Sequence, residues 1–148
     1  MIIIAHKFNT HLARIILFGL FNLIAYNASA EAVVVVSSHS NLLALSKQQV
    51  TSLFLGQATT FPDGRHANVF NQPIGSEIRN EFHIKLTGMN PAQLNAYWSM
   101  RVFSGNGRPP KELNDSIDVK KRLNENPNSI GYIEKSVLDD SLRVVYSP

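Results

Sequence analysis

The sequence predicts a three-layer α/β domain, with helices packed on both faces of one central sheet. Residues 33–36 are four consecutive valines, a run typical of a strand buried on both faces, as in parallel α/β sheets. Strand and helix patterns then follow in the order β-α-β-α-α-α-β-β, which favours a layered fold with four or five strands. The chain has 148 residues, 44% hydrophobic and 17% charged, which excludes a disordered protein.

The first helix is predicted to begin at Ser46, because its hydroxyl and the Gln49 side chain can form a capping box. Its apolar face is Val50, Leu53 and Phe54, and Gly56 ends it. A turn at residues 62–64 then leads to a strand over residues 65–70, with Ala67 and Val69 facing inward.

Three further helices and two strands follow. The second helix begins at residues 75–76 and ends at Gly88, the third begins at Asn90 followed by proline, and the fourth is capped by Asp115. The apolar faces of the second and third helices are Ile78, Phe82 and Leu86, and Leu94, Tyr97, Trp98 and Val102. Strands are expected over residues 130–133 and 142–145.

Residues 1–30 have the three parts of a secretory signal peptide. Lys7 and Arg14 supply positive charge, residues 15–25 are an apolar run, and residues 28–30 (Ala-Ser-Ala) match the pattern that signal peptidase cleaves. The apolar run is shorter than the roughly 20 residues of a membrane-spanning helix. We expect cleavage after Ala30, a periplasmic location and no stable membrane insertion; an uncleaved anchor is the alternative.

Charge and cysteine content exclude several function classes. The net charge of the chain is +3, but without the two basic residues of the signal 12 basic and 11 acidic side chains remain, a net charge of +1. The dense basic run at residues 120–122 has Asp118 and Glu125 beside it and is typical of a solvated helix face, so no nucleic-acid partner is expected. Because cysteine is absent, disulfides, thiol nucleophiles and cysteine metal sites are excluded.

The loop at residues 71–76 is the candidate binding site. It joins the carboxyl end of a strand to the start of a helix, where open α/β sheets bind ligands. Gly75 permits close backbone approach, Ser76 offers a hydroxyl, and Arg79 adds positive charge one turn later. Glu77 opposes an incoming anion in the same turn. An ordinary helix cap is the alternative interpretation.

Four segments resemble the phosphate-binding proteins of phosphate ABC transporters: residues 45–56, 75–82, 97–110 and 127–132. The second of them, Gly-Ser-Glu-Ile-Arg-Asn-Glu-Phe, is similar to the Gly-Ser-Gly-Thr-Arg-x-x-Phe stretch of that family. The resemblance spans residues 33–145 and implies a type-II periplasmic-binding-protein fold, in which the anion lies between two lobes. Residues 31–148 correspond in length to a single lobe, a domain similar to one half of such a receptor.

The resemblance also implies which residues would contact the anion. In the family, the serine, glycine and threonine of the motif bind phosphate, and an arginine four residues before the serine pairs with it. Ser76 and Arg79 are retained here, whereas Gln72, Glu77 and Ile78 occupy the positions of the upstream arginine, the glycine and the threonine. The implied ligand-binding set is Gln72, Gly75, Ser76, Glu77 and Arg79. Its departures predict weak binding of phosphate or a similar small anion.

No catalytic, metal or cofactor site is expected. His39, Asp63 and His66 could suggest a Ser-His-Asp set, but the sequence has no Gly-x-Ser-x-Gly motif to supply the nucleophile. The spacing of the histidines does not suit a metal ion. Two alternative functions are considered for a non-catalytic protein. The first is an exported, non-catalytic anion-binding protein. The second is an envelope docking protein that keeps the fold with a degenerate anion site and pairs with an envelope protein or with itself as a homodimer.

Overall fold

The computed structural model describes residues 31–148, so the expected signal peptide lies outside the described residues. The strands are β1 (Ala32–Ser37), β2 (Asn68–Asn71), β3 (Lys111–Glu112), β4 (Ser129–Glu134) and β5 (Leu142–Tyr146). The helices are α1 (Lys47–Phe54), α2 (Glu77–Thr87), α3 (Pro91–Phe103) and α4 (Ser116–Glu125), and a 3₁₀ turn spans Lys135–Val137. The strands form one mixed sheet in the order β3-β2-β4-β1-β5.

Strand β1 is buried on both faces, as its valine run predicts. Val34 and Val36 point into the larger core, which also contains apolar residues of α1 and α2. Val33 and Val35 point into a second core on the opposite face, where α4 supplies Val119. Because a strand alternates its side chains between faces, each valine pair needs its own covering helices. The predicted three-layer α/β architecture is confirmed.

The direction of β1 differs from the expectation of a parallel strand. It runs antiparallel to β4, with Val34 opposite Tyr132, and antiparallel to β5, with Val35 opposite Val144. Strand β2 is parallel to both β3 and β4. The expectation was wrong because a continuous apolar run reports that both faces are covered and carries no information about the direction of the neighbouring strands.

The helix boundaries follow the predicted caps. Ser46 and Gln49 form the capping box of α1, and Asn90 with Gln93 forms another at the start of α3. Helix α2 ends at Gly88, which adopts a left-handed φ of 75° that a residue with a Cβ rarely takes. The apolar faces of α1 and α2 are buried in the larger core as predicted.

Helix α3 is attached mainly through one side of its length. Leu94 and Trp98 are buried against Leu55 at the end of α1, and the Tyr97 hydroxyl donates to the Leu55 carbonyl oxygen at 2.8 Å. Val102, predicted to share this face, is 52% exposed. The prediction was wrong for Val102 because the apolar cluster that holds Leu94 and Trp98 against Leu55 does not extend to the last turn of α3.

Two strands of the sheet differ from the sequence pattern. The strand expected over residues 65–70 begins only at Asn68 and continues to Asn71, while His66 forms a single bridge with Thr60. Strand β3 was not predicted, since it is two charged, exposed residues long and has no apolar alternation. It pairs with the end of β2 at Phe70 and Asn71.

Gly131 in β4 provides a test of how closely α4 packs on the sheet. A Cβ at this position would lie 2.6 Å from Val119 Cγ1. We therefore expect Gly131→Ala to destabilise the fold by about 1–3 kcal/mol through overpacking, measured as the free energy of unfolding in urea. The double variant with Val119→Ala should recover part of this loss. If the two losses simply add, α4 does not pack on β4 in this way.

Candidate functional site

The candidate loop leaves the carboxyl end of β2 and enters α2. Gly75 lies at its tip with a left-handed φ of 85°, and a Cβ there would meet no atom within 4 Å, so the glycine serves the turn conformation. Gly75 and Glu77 are exposed to solvent. The tip of the loop therefore presents backbone at Gly75, beside the 65% exposed side chain of Ile74.

Ser76 occupies the N-cap of α2 without capping it. Its hydroxyl donates to the Pro73 carbonyl oxygen at 2.8 Å, and no side-chain hydrogen bond reaches the first turn of the helix. The N-cap side chains of α1, α3 and α4 all accept from their helices. Glu77 stands in the first turn of α2, where a carboxylate favours the helix dipole.

Arg79 points inward and is only 5% exposed. Its Nη1 donates to the Gln72 carbonyl oxygen at 2.7 Å and to Glu112 Oε1, also at 2.7 Å. The Glu112 side chain is 38% exposed, so the ion pair is covered on the arginine side and open on the glutamate side. The positive charge expected to meet an anion is therefore matched by a carboxylate of strand β3.

The two carboxylates nearest to Arg79 along the chain do not form this pair. Glu81 binds Lys85 at 2.6 Å, an i,i+4 pair on the surface of α2. Glu77 remains at the exposed start of α2. The partner instead comes from 33 positions away in the sequence, which no local pattern indicates.

Gln72 is buried and belongs to an internal network. Its side-chain amide donates to Ser116 Oγ at 2.8 Å and to the Tyr132 carbonyl oxygen at 3.2 Å. Its backbone N–H donates to the Tyr132 hydroxyl at 3.1 Å. Ser116 in turn donates to the carboxylate of Glu134. The position where the family carries an arginine thus ties β2 to α4 and β4.

Tyr132 and His83 extend this network beneath α2. The Tyr132 hydroxyl donates to Asn71 Oδ1 at 2.5 Å, and His83 Nε2 lies 3.2 Å from the same oxygen. Phe82 stacks on the Tyr132 ring with centroids 3.8 Å apart. Asn71 Nδ2 and His83 Nδ1 are buried atoms without a hydrogen-bond partner. Such atoms destabilise a fold, so the surrounding packing must compensate.

Burial keeps both rings of this network neutral. Desolvation, with a smaller contribution from the charge of Arg79, lowers the pKa of His83 from 6.5 to about 4. Desolvation raises the pKa of the Tyr132 phenol well above its usual range. At neutral pH His83 and Tyr132 therefore act as neutral hydrogen-bonding groups near the buried Arg79.

Sequence reasoning missed Glu112, Ser116, Tyr132 and Glu134 as contributors to this site. Tyr132 and Glu134 lie in a strand whose pattern indicated structure only, and Glu112 lies in the short β3, which was not predicted. Of the predicted site residues, Gln72 and Arg79 are brought together by one hydrogen bond, whereas Gly75, Ser76 and Glu77 remain at the rim of the loop.

The other residues considered from the sequence do not join the site. His39 lies near Ser37 at the carboxyl end of β1. Because β1 is antiparallel to β4, this end lies beside the amino end of β4, away from the candidate site. Within residues 31–148, no His, Asp or Glu side chains are grouped in a way that suits a metal ion. In the same residues, none of the helices combines the length and apolarity needed to span a bilayer.

Solved structures of phosphate receptors share this fold. A phosphate ABC transporter substrate-binding protein from Clostridium perfringens, solved with bound phosphate, matches with a TM-score of 0.61 and 21% identity over 78% of this chain and 44% of its own. An ABC-type phosphate transport receptor from Vibrio cholerae matches with a TM-score of 0.61 and 18% identity over 78% and 45%. No family model and no curated protein matches the sequence.

These matches define the class of fold. The chain is an α/β domain built like part of a phosphate-type substrate-binding protein, as the resemblance implied. It spans less than half the length of the solved receptors it matches. What those receptors bind is a property of the receptors, and the likeness to this chain concerns the fold.

The buried His83 makes stability depend on pH. Because its pKa is about 4 in the folded chain and 6.5 when unfolded, the unfolded state takes up the proton first as the pH falls. The contribution of His83 is intact above pH 6.5 and is lost as the pH falls toward 4. Between neutral pH and about pH 5 the loss should be roughly 2 kcal/mol.

The measurement is the free energy of unfolding in urea across this pH range. His83→Gln should flatten the dependence, because glutamine takes up no proton. His66→Gln is the matched control at an exposed histidine, and it should keep the wild-type slope. Equal slopes for wild type and His83→Gln would show that His83 is not buried in its neutral form.

Proposed function

We propose that this chain is an exported, non-catalytic binding protein of the phosphate-receptor type that binds phosphate or a related small anion only weakly at the start of α2. The observation that carries the proposal is the ion pair between the buried Arg79 and Glu112 at 2.7 Å. An arriving anion has to compete with a carboxylate already in place. The periplasmic location and the cleaved signal peptide are part of the same proposal.

Two features favour some residual anion binding at this position. The N-cap side chain leaves the first-turn N–H groups of α2 without a side-chain acceptor. Such groups, together with the positive end of the helix dipole, attract anions. Glu77 opposes this attraction from the first turn, which is a further reason to expect weak affinity.

Replacing Glu112 tests whether it competes with the anion. With about 10 mM phosphate and a dissociation constant near that value, wild type should be stabilised by only about 0.4 kcal/mol. Glu112→Gln removes the competing charge and should increase the phosphate-induced shift in melting temperature several-fold. Ionic strength is held constant with sodium chloride. Glu31→Gln, which alters the exposed pair with Lys135, is the matched control and should behave as wild type.

The outcomes separate the alternatives. A wild-type shift already as large as that of Glu112→Gln would contradict the competition and indicate an open anion site. No shift in either protein would exclude anion binding at α2, and the docking function would then stand alone. Ser76→Ala should reduce any response of Glu112→Gln if the anion binds at the helix start.

The second candidate function is docking to an envelope protein or to a second copy of the chain. It is favoured by three large apolar side chains at the end of α3, where Met100 is 72%, Val102 is 52% and Phe103 is 95% exposed. Adjacent exposed apolar residues are typical of protein–protein contacts. We call Met100, Val102 and Phe103 the α3 patch.

Self-association would be measured by light scattering at increasing protein concentration. If the α3 patch pairs two copies, the apparent mass should rise with concentration, and Phe103→Ser should weaken the association about tenfold or more, as hot-spot residues do. Leu43→Ser is the control, since Leu43 is 75% exposed but lies outside the patch. A constant monomeric mass would exclude the homodimer, and equal effects of both variants would remove the patch from it.

A further inference from the structure

A polar cavity lies at the edge of the sheet, away from the start of α2. It has a volume of about 410 Å³ and is lined by residues 66–70, Lys111 and Arg122. Three basic side chains therefore reach it from three elements: His66 before β2, Lys111 on β3 and Arg122 on α4. Its lining contains no carboxylate.

The cavity exists because β3 is too short to cover β2. The two strands pair only at Phe70 and Asn71, so Asn68 and Val69 have their described strand neighbour on the β4 side alone. Pro109 and Pro110 precede β3, and proline cannot donate a ladder hydrogen bond, so the strand cannot extend backward. The uncovered stretch of β2 forms the floor of the cavity.

The positive charge at this cavity is only partly balanced. Lys111 is exposed and has no ion pair among the described residues, in contrast to Lys85, Lys120 and Lys135. Arg122 binds Glu125 at 3.0 Å, but both side chains are about half exposed, and such pairs contribute little. Arg122 can therefore turn to a ligand at small cost.

Lys111 and Arg122 also line a neighbouring cavity, and three carboxylates line that cavity with them. Two of them already have partners, since Glu112 accepts from Arg79 and Asp118 accepts from the side-chain amide of Asn114. The third is Glu125, the partner of Arg122. These groups reduce the local potential without entering the basic cavity.

We propose that this cavity binds a small multivalent oxyanion, such as inorganic phosphate or a phosphate group carried by a small metabolite. Lysine and arginine form charge-assisted hydrogen bonds to such oxygens, and a ligand with at least two negative charges can engage Lys111 and Arg122 together. The cavity volume is within the range of small-molecule sites. This site is separate from Gly75 and Ser76 and does not depend on binding there.

The experiment is a phosphate titration of the ¹⁵N-labelled protein followed by NMR. Saturable shifts are expected at the backbone amides of Val69, Phe70 and Lys111, with a dissociation constant that Lys111→Gln and Arg122→Gln each raise at least fivefold. Lys121→Gln is the matched control, because it removes one charge from α4 at a residue that lines the neighbouring cavity. Acetate, with one charge, should bind more weakly than phosphate.

The readout separates this proposal from binding at α2, because shifts at Gly75 and Glu77 report only on the helix start. Absence of saturable shifts at β2 and β3 would overturn the proposal, whatever happens at α2. An equal effect of Lys121→Gln would also overturn it, since that result would show general electrostatic attraction. Phosphate and glycerol phosphate, used in parallel, distinguish a free anion from a phosphate carried by a metabolite.

Discussion

The burial of β1 on both faces requires the layered arrangement of this domain. A strand of consecutive valines has no side that tolerates water, so the chain must place helices on both faces of the sheet. Helices α1 and α2 cover one face and α4 covers the other. In the sheet, β1 lies between β4 and β5, and β3 is the edge strand nearest to the candidate site.

A group of buried polar side chains lies where β2 and β4 end. Parallel strands bring Asn71, Gln72 and Tyr132 to the same edge of the sheet, and α2 covers them with Phe82 and His83. Buried polar groups must find partners within the protein, because water no longer reaches them. Most of these groups hydrogen-bond one another, and Arg79 with Glu112 completes the arrangement.

This internal satisfaction separates the chain from the phosphate receptors whose fold it shares. A receptor site needs donors and positive charge that lack partners until the ligand arrives. In this chain the arginine retained from the motif has a carboxylate partner, and the position of the upstream arginine carries a neutral amide directed toward Ser116. The same residues therefore stabilise the junction of β2, β3 and α4.

Local physical chemistry was predictable from the sequence. The capping boxes at Ser46 and Asn90, the end of α2 at Gly88 and the pair of Glu81 with Lys85 depend only on residues a few positions apart. The resemblance to phosphate receptors likewise indicated the fold. Each of its motifs is a short local stretch, and the motifs follow one another along the chain in the order found in those receptors. The two-residue β3 was not predictable, since two exposed charged residues carry no periodic signal.

The local patterns of the sequence indicate a layered α/β domain, in which the stretch around α2 resembles a phosphate-receptor motif and departs from it at Gln72, Glu77 and Ile78. The antiparallel direction of β1 and the pairing of Arg79 with Glu112 follow from the folded arrangement of the chain. The physical reason is the same in both cases. Strand direction and ion pairing depend on residues that are distant in the chain, and they become neighbours only when the sheet has formed.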